Sequence, residues 1–242
     1  MNYLGGKHRQ GRKIAEIVCR DMLPGQTYIE PFCGAMGVAY RVANIMPENA
    51  TMVLSDAHPA LMCMWGAIIN DGWNPPSIIS NELYNEIKAK QDLNDPMTAY
   101  VGFGMSFGSK YFGGYARNGV GTDYALNLQR STILKAKTIL KCCDYREYGA
   151  VTGATFYLDP PYANRTAQSK LLPKFNSSEF WGFVRHISKA NRVYVTEFVA
   201  PEDFIVVHDF GDTVVRHHSS KGKDGTSECV FTLRGHGEYG HK

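Results

Sequence analysis

Thr27-Tyr28-Ile29-Glu30-Pro31-Phe32-Cys33-Gly34-Ala35-Met36-Gly37 reads as a short strand that breaks into a glycine-bearing turn. Threonine, tyrosine and isoleucine suit a buried, pleated backbone, and Pro31 withdraws a ladder donor where the strand must stop. Apolar spacing after Gly37 predicts a helix to about Ala43, and Met52-Val53-Leu54 predicts a second strand that ends on Ser55-Asp56. Strand, glycine turn, helix, strand and terminal acid form a βαβ unit. Such units build parallel sheets covered by helices, and those sheets bind ligands at their carboxyl edge.

Two details of this unit point to a nucleoside. Asp56 lies 22 residues beyond Gly34, where a carboxylate at the end of the next strand can accept both ribose hydroxyls. The turn lacks G-x-G-x-x-G, and its proline removes a backbone donor. It therefore suits a cationic sulfonium better than a pyrophosphate, which needs N–H groups at a helix N-terminus. The plainer reading is a tight strand–helix turn without a ligand.

Working outward, Ile14, Ile17 and Val18 sit at helical spacing within residues 9–22, and Pro24-Gly25 ends that helix. Residues 59–105 read as helical, with breaks at Asn74-Pro75-Pro76 and Asp95-Pro96. Residues 108–122 read as a glycine- and aromatic-rich loop, and a helix is predicted over about 123–138. Strand patterns return at 139–143, 155–158, 192–196, 204–209, 213–218 and 228–233, with a helix at about 177–190. The pattern predicts one α/β catalytic domain, residues 1–56 and 139–242, interrupted by an inserted recognition region at 57–138.

Thr155-Phe156-Tyr157-Leu158-Asp159-Pro160-Pro161-Tyr162 carries the most specific chemistry. An apolar strand delivers an acid, two prolines that offer carbonyls without donors, and an aromatic ring. An exocyclic amine on a nucleobase is a poor nucleophile because its lone pair is delocalised into the ring. The Asp159 carboxylate and the Pro160 carbonyl can accept its two N–H protons and localise that lone pair. Tyr162 can stack on a base drawn out of the duplex. The alternative is a stiff strand-end turn with an incidental acid.

With these residues in view, the chain resembles the Dam-type, alpha-class DNA adenine methylases. Tyr3-Leu4-Gly5-Gly6-Lys7 is similar to their N-terminal cofactor motif, and Glu30 to Gly37 to their E-P-F-x-G-x-G loop. Ser55-Asp56 resembles their acidic strand end, and Asp159-Pro160-Pro161-Tyr162 their catalytic motif, in the same order along the chain. The resemblance spans about residues 1–56 and 139–242. It implies a Rossmann-like methyltransferase fold with a mixed sheet and an inserted helical target-recognition region. It also implies S-adenosyl-L-methionine as cofactor, with contacts from Tyr3, Lys7, Glu30, Phe32, Gly34, Asp56 and Asp159, and catalysis by Asp159, Pro160 and Tyr162. Double-stranded DNA would be the partner, and the compact length suits a phage or prophage member. Where the family tends to have Ser-Asn after the strand at 192–196, this chain has Thr196-Glu197, a departure near the base pocket. Ser219 to Gly225 resembles the family's glycine-bearing hairpin loop, which implies phosphate contacts from Lys221 and Lys223.

Bulk composition agrees with this reading without requiring it. The 242 residues carry a net charge of +3 and a mean hydropathy of −0.27, and no apolar run approaches the roughly 18 residues of a membrane span. A cytoplasmic monomer is expected. Basic groups cluster around Lys7 to Lys13, Lys135 to Lys141 and Arg216 to Lys223, where they can neutralise phosphates, although each group alone is as readily a solvated face. In the loop Lys110 to Asn118, Arg117 can read a guanine edge and Asn118 an adenine edge. The six cysteines contain no C-x-x-C pair and are expected to be reduced, mostly buried thiols. His217-His218 has no matching third ligand, and adjacent strand residues face opposite ways, so no metal is expected.

Competing functions divide on single features. Gly5-Gly6-Lys7 lacks the spacing of a phosphate loop. Carbon-5 cytosine methylation needs a cysteine after proline, a pair that does not occur. Cytosine-N4 methylation uses the same amine chemistry and remains open beside adenine-N6 methylation. RNA or protein amine methylation, and a degenerate homologue that binds DNA without turnover, also remain.

Overall fold

The computed structural model describes residues 5–116, 137–161, 172, 174–211 and 227–235. Seven strands form one sheet: β1 Thr27–Glu30, β2 Thr51–Asp56, β3 Thr138–Cys142, β4 Thr155–Leu158, β5 Arg192–Glu197, β6 Phe204–Asp209 and β7 Cys229–Leu233. Their spatial order is β3-β2-β1-β4-β5-β7-β6. The pairs β1–β2, β1–β4, β2–β3 and β4–β5 are parallel, whereas β7 runs antiparallel between β5 and β6. The order therefore reverses between β1 and β4, the position at which such sheets open a ligand crevice.

The strands sort their side chains with a period of two. Tyr28, Met52, Leu54, Tyr157, Tyr194 and Val230 enter one core, and Ile29, Val53, Phe156, Leu158, Val193, Val195 and Phe231 enter the other. This explains why β4 is buried along its whole length and β1 from Tyr28 to Glu30, since both of their faces are covered. The first core is closed by α1 Gly11–Cys19, α2 Ala39–Ile45 and α3 Pro59–Ile69. Helix α1 buries Ile14, Ala15, Ile17 and Val18, the apolar stripe evident in its spacing.

The middle of the chain joins this same core. Helix α4 Asn81–Lys90 and the short α5 Pro96–Ala99, which runs into a π turn at Tyr100–Gly104, contribute Tyr84, Ile87, Ala99, Tyr100 and Phe103 to it. The second core is closed by α6 Ser177–Ser188, which buries Phe180, Trp181, Val184 and Ile187. Helix starts follow local chemistry: Ser80 accepts from Leu83 N–H ahead of α4, and Asn176 accepts from Glu179 N–H ahead of α6.

The helix predicted over about 123–138 lies outside the described residues up to 136, and Thr138 already opens β3. The predicted strand at 213–218 also lies outside them. No helix among the described residues is long and apolar enough to cross a membrane. The cysteines correct one expectation. All are free thiols, but only Cys33 and Cys229 are buried; Cys142 is exposed and Cys19, Cys63 and Cys143 are half-buried. Cys142 lies on the outermost strand β3, which is largely solvated.

Candidate active site

Sheet register brings the strand-end acids together. Glu30 lies level with Leu54 on β2, and the β1–β4 pairing of Tyr28 with Thr155 and Ile29 with Phe156 sets it level with Tyr157. Asp56 and Asp159 each follow two residues later, so all three carboxylates leave the same face at the carboxyl edge. Asp56 is buried, and its Oδ2 accepts from Gly34 N–H at 3.1 Å while Oδ1 accepts from His58 N–H at 3.0 Å. Gly34 adopts φ 44°, a left-handed conformation that glycine tolerates, and its carbonyl accepts from Trp65 Nε1 at 2.8 Å. The turn and the acid of the βαβ unit are thus joined by a direct hydrogen bond.

The other glycines of this turn serve backbone packing. A Cβ on Gly11 would meet the Gly37 carbonyl oxygen at 2.5 Å, and one on Gly37 would meet His8 N at 3.1 Å and Lys7 C at 3.2 Å. Only bare backbone lets the N-terminal segment lie against the β1–α2 turn. That close approach delivers Lys7 to the site.

Lys7 is the hub. Its Nζ lies 2.8 Å from Asp159 Oδ1, 3.2 Å from Glu228 Oε1 and 3.0 Å from the Gly5 carbonyl, inside the protein. Burial alone would favour loss of its proton, but the carboxylates of Asp159 and Glu228 outweigh burial and hold the ammonium charged. Glu228 escaped the sequence reading. It stands at the lead-in to β7, on the side that Val230 places in the first core, and only the antiparallel insertion of β7 beside β5 carries it to this edge.

Further buried acids surround this pair. Burial raises Glu30 to about 8, against the Tyr28 hydroxyl that donates to its Oε2 at 2.6 Å, with Asp159 adding to the rise. Burial raises Glu197 to about 7, partly offset by the Phe198 N–H and reinforced by Asp159. Burial raises Asp56 to about 6 against the N–H groups of His58, Gly34 and Ala57. Tyr157 and Thr196 bond through their hydroxyls at 2.8 Å beneath Asp159. Acids thus outnumber cations here, and burial holds several of them near neutrality, a donor set that suits a positively charged ligand carrying hydroxyl groups.

The remaining sequence expectations separate clearly. Phe32 turns to the other face, among Tyr145, Phe180 and Phe175 at centroid distances of 5.3, 6.0 and 6.4 Å. Pro160 is buried behind Asp159, and Pro161 is exposed. Tyr3, Arg117, Asn118, Tyr162, Lys221 and Lys223 lie outside the described residues. Among the described residues, no group of three or more His, Cys, Asp or Glu is arranged to hold a metal ion.

Residues 3–103 match the model of the D12 class N6 adenine-specific DNA methyltransferases. The match covers less than half of the chain; with the strand order above it supports a methyltransferase of Rossmann-like fold, a class whose methyl donor is S-adenosylmethionine. The matched stretch contains Lys7, Glu30, Gly34 and Asp56 and stops before Asp159. No curated protein matches the chain. Among solved structures it is similar to TrmN from Thermus thermophilus, 12% identical over 95% of this chain and 51% of that one, with a TM-score of 0.40. It is also similar to the rRNA methyltransferase aviRa from Streptomyces viridochromogenes, 11% identical over 93% and 84% of the two chains, TM-score 0.43. A third is the putative methyltransferase yhhF from Escherichia coli, 9% identical over 93% and 84%, TM-score 0.39. The chain spans about half the length of TrmN. Such distant superpositions add nothing to the strand order, which carries the fold.

Were that donor bound here, Asp56 would be placed to hold its ribose hydroxyls, and Glu30 with its acidic neighbours to hold its cationic methionine end. When bound, the donor supplies an electrophilic methyl group. The protein's own part is to present a nucleophile beside it and keep water away.

Proposed function

We propose that this methyltransferase methylates the exocyclic N6 amine of adenine in duplex DNA, acting on a base turned out of the helix. The observation that carries the reading is Asp159, held by Lys7 at the end of β4 on the same sheet face as Glu30 and Asp56. In this reading the Asp159 carboxylate and the Pro160 carbonyl accept the two amine protons. The nitrogen becomes tetrahedral and its lone pair points at the methyl group. After transfer the surplus proton leaves the nitrogen by way of Asp159, and no side chain forms a bond to the base. Tyr162 stacks on the extruded ring. Residues 57–138 form the target-reading region, with Arg117 and Asn118 on base edges and Lys221 and Lys223 on phosphates.

The test is methyl transfer from radiolabelled S-adenosylmethionine to duplex DNA free of methylated adenine, followed by digestion to nucleosides. Label is expected on N6-methyldeoxyadenosine. Asp159→Ala is expected to lower the rate by about 10³-fold or more while DNA binding stays within a few-fold. Label on cytosine, or transfer only to RNA, would replace the substrate. Undiminished transfer by Asp159→Ala would remove the mechanism.

A further inference from the structure

We propose that Glu228 is a positioning residue that sets the orientation of the Asp159 carboxylate through the shared Lys7 ammonium. The inference rests on the reading of Asp159 given above and goes beyond it.

The geometry is asymmetric in an informative way. Lys7 Nζ stands 2.8 Å from Asp159 Oδ1 and 3.2 Å from Glu228 Oε1, with the Gly5 carbonyl at 3.0 Å. The three acceptors come from the N-terminal segment, the end of β4 and the lead-in to β7, and they approach the ammonium from separate elements. An ammonium directs its protons tetrahedrally. A second carboxylate on the same ammonium therefore competes with Asp159 for its protons.

With Glu228 present, Lys7 is shared between two carboxylates and lies on the Oδ1 side of Asp159. Without it, Asp159 no longer shares the ammonium with a second carboxylate, and the buried charge draws it closer. Asp159 would then be drawn along Lys7 and its remaining lone pairs blunted. Glu228 touches neither base nor methyl group in this scheme and acts only through Lys7.

This role differs from simple charge balance. Asp159 itself and Glu197 also act on Lys7 electrostatically, so negative charge near the ammonium is not supplied by Glu228 alone. What Glu228 supplies is an acceptor at hydrogen-bond distance. E228Q keeps that acceptor as an amide oxygen and discards the charge, whereas E228A discards both. E228N is polar but one methylene short, so it withdraws the acceptor while sparing the packing.

The experiment measures single-turnover methyl transfer from labelled S-adenosylmethionine to duplex DNA, with dissociation constants for both, on the full chain and these variants. Thermal melting confirms the folded state, and E228N stands in if E228A does not fold. The expected result is a loss of about tenfold or more in the transfer rate for E228A or E228N, with both dissociation constants within about threefold, and recovery of most of the rate in E228Q. A parental rate in the acceptor-less variants overturns the proposal. So does an equal loss in E228Q, which would make the charge the active property. A fall in affinity that accounts for the whole loss overturns it too. D159N run alongside separates the two claims: if D159N transfers at the parental rate, the reading of Asp159 fails, whatever Glu228 does.

Discussion

Glu30 is a residue whose environment opposes its ordinary chemistry. It is buried at the centre of the sheet with its carboxyl raised to about 8, chiefly by burial. An unfolded glutamate titrates near 4.5. Between those values the folded chain binds the extra proton, so stability is full below the lower value and falls as pH rises through the window. Glu30→Gln keeps an acceptor for the Tyr28 hydroxyl and cannot ionise. Its stability relative to the parent should be near zero at pH 5 and grow to about 2–5 kcal/mol in favour of the variant above pH 8. Denaturant unfolding across that range measures it, and a difference independent of pH would show that Glu30 is already ionised. Its standing as a candidate site acid came from the resemblance of Glu30-Pro31-Phe32 to the family's loop. Its protonation was not legible there, because desolvation depends on what Tyr28, Asp159 and the packed helices exclude.

At the scale of elements, the contact between α1 and the β1–α2 turn depends on two glycines. A methyl at Gly11 would stand 2.5 Å from the Gly37 carbonyl oxygen, and neither backbone can yield without moving Lys7. Gly66 lies within α3, with nothing within 4 Å of an added Cβ. Alanine normally favours a helix over glycine by about 1 kcal/mol. Gly66→Ala should therefore stabilise the protein by roughly that amount, whereas Gly11→Ala should destabilise it by about 1–3 kcal/mol. Melting temperatures decide the signs, and a stabilising Gly11→Ala would mean that the close approach is not required. The α1 stripe, β1, β2, β4, β5, β6 and α6 are all evident in the periodicity of the chain. The extent of the middle region's packing is not. Tyr84, Tyr100 and Phe103 read as parts of a separate insert, yet they fill the same core as Ile14 and Leu54. Local spacing reports that a face is apolar, and which partner covers it is decided by the rest of the fold.

At the scale of the molecule, the carboxyl edge behaves as a proton reservoir. Asp56, Glu197 and Glu30 titrate at about 6, 7 and 8, each raised mainly by burial. A cation bound among them favours their ionised forms and releases protons. Affinity for S-adenosylmethionine should therefore rise between pH 5 and 8 more steeply than affinity for the uncharged thioether S-adenosylhomocysteine. Calorimetry in buffers of different ionisation enthalpy should detect greater proton release for the sulfonium. Identical proton release for the two ligands would place these acids outside the reach of the sulfur's charge.

The sequence by itself determined the βαβ unit, the glycine turn with its acid 22 residues on, and an acid-proline rim at the end of an apolar strand. These are local statements, written in residues that are neighbours or one crossover apart. Tertiary structure alone decided that Lys7, Asp159 and Glu228 share one ammonium, and that Phe32 turns away from them. Lys7 and Glu228 lie near opposite ends of the chain and carry no mutual pattern. They meet because β4 pairs with β1 and β7 inserts antiparallel beside β5, a choice set by how two cores close around one sheet.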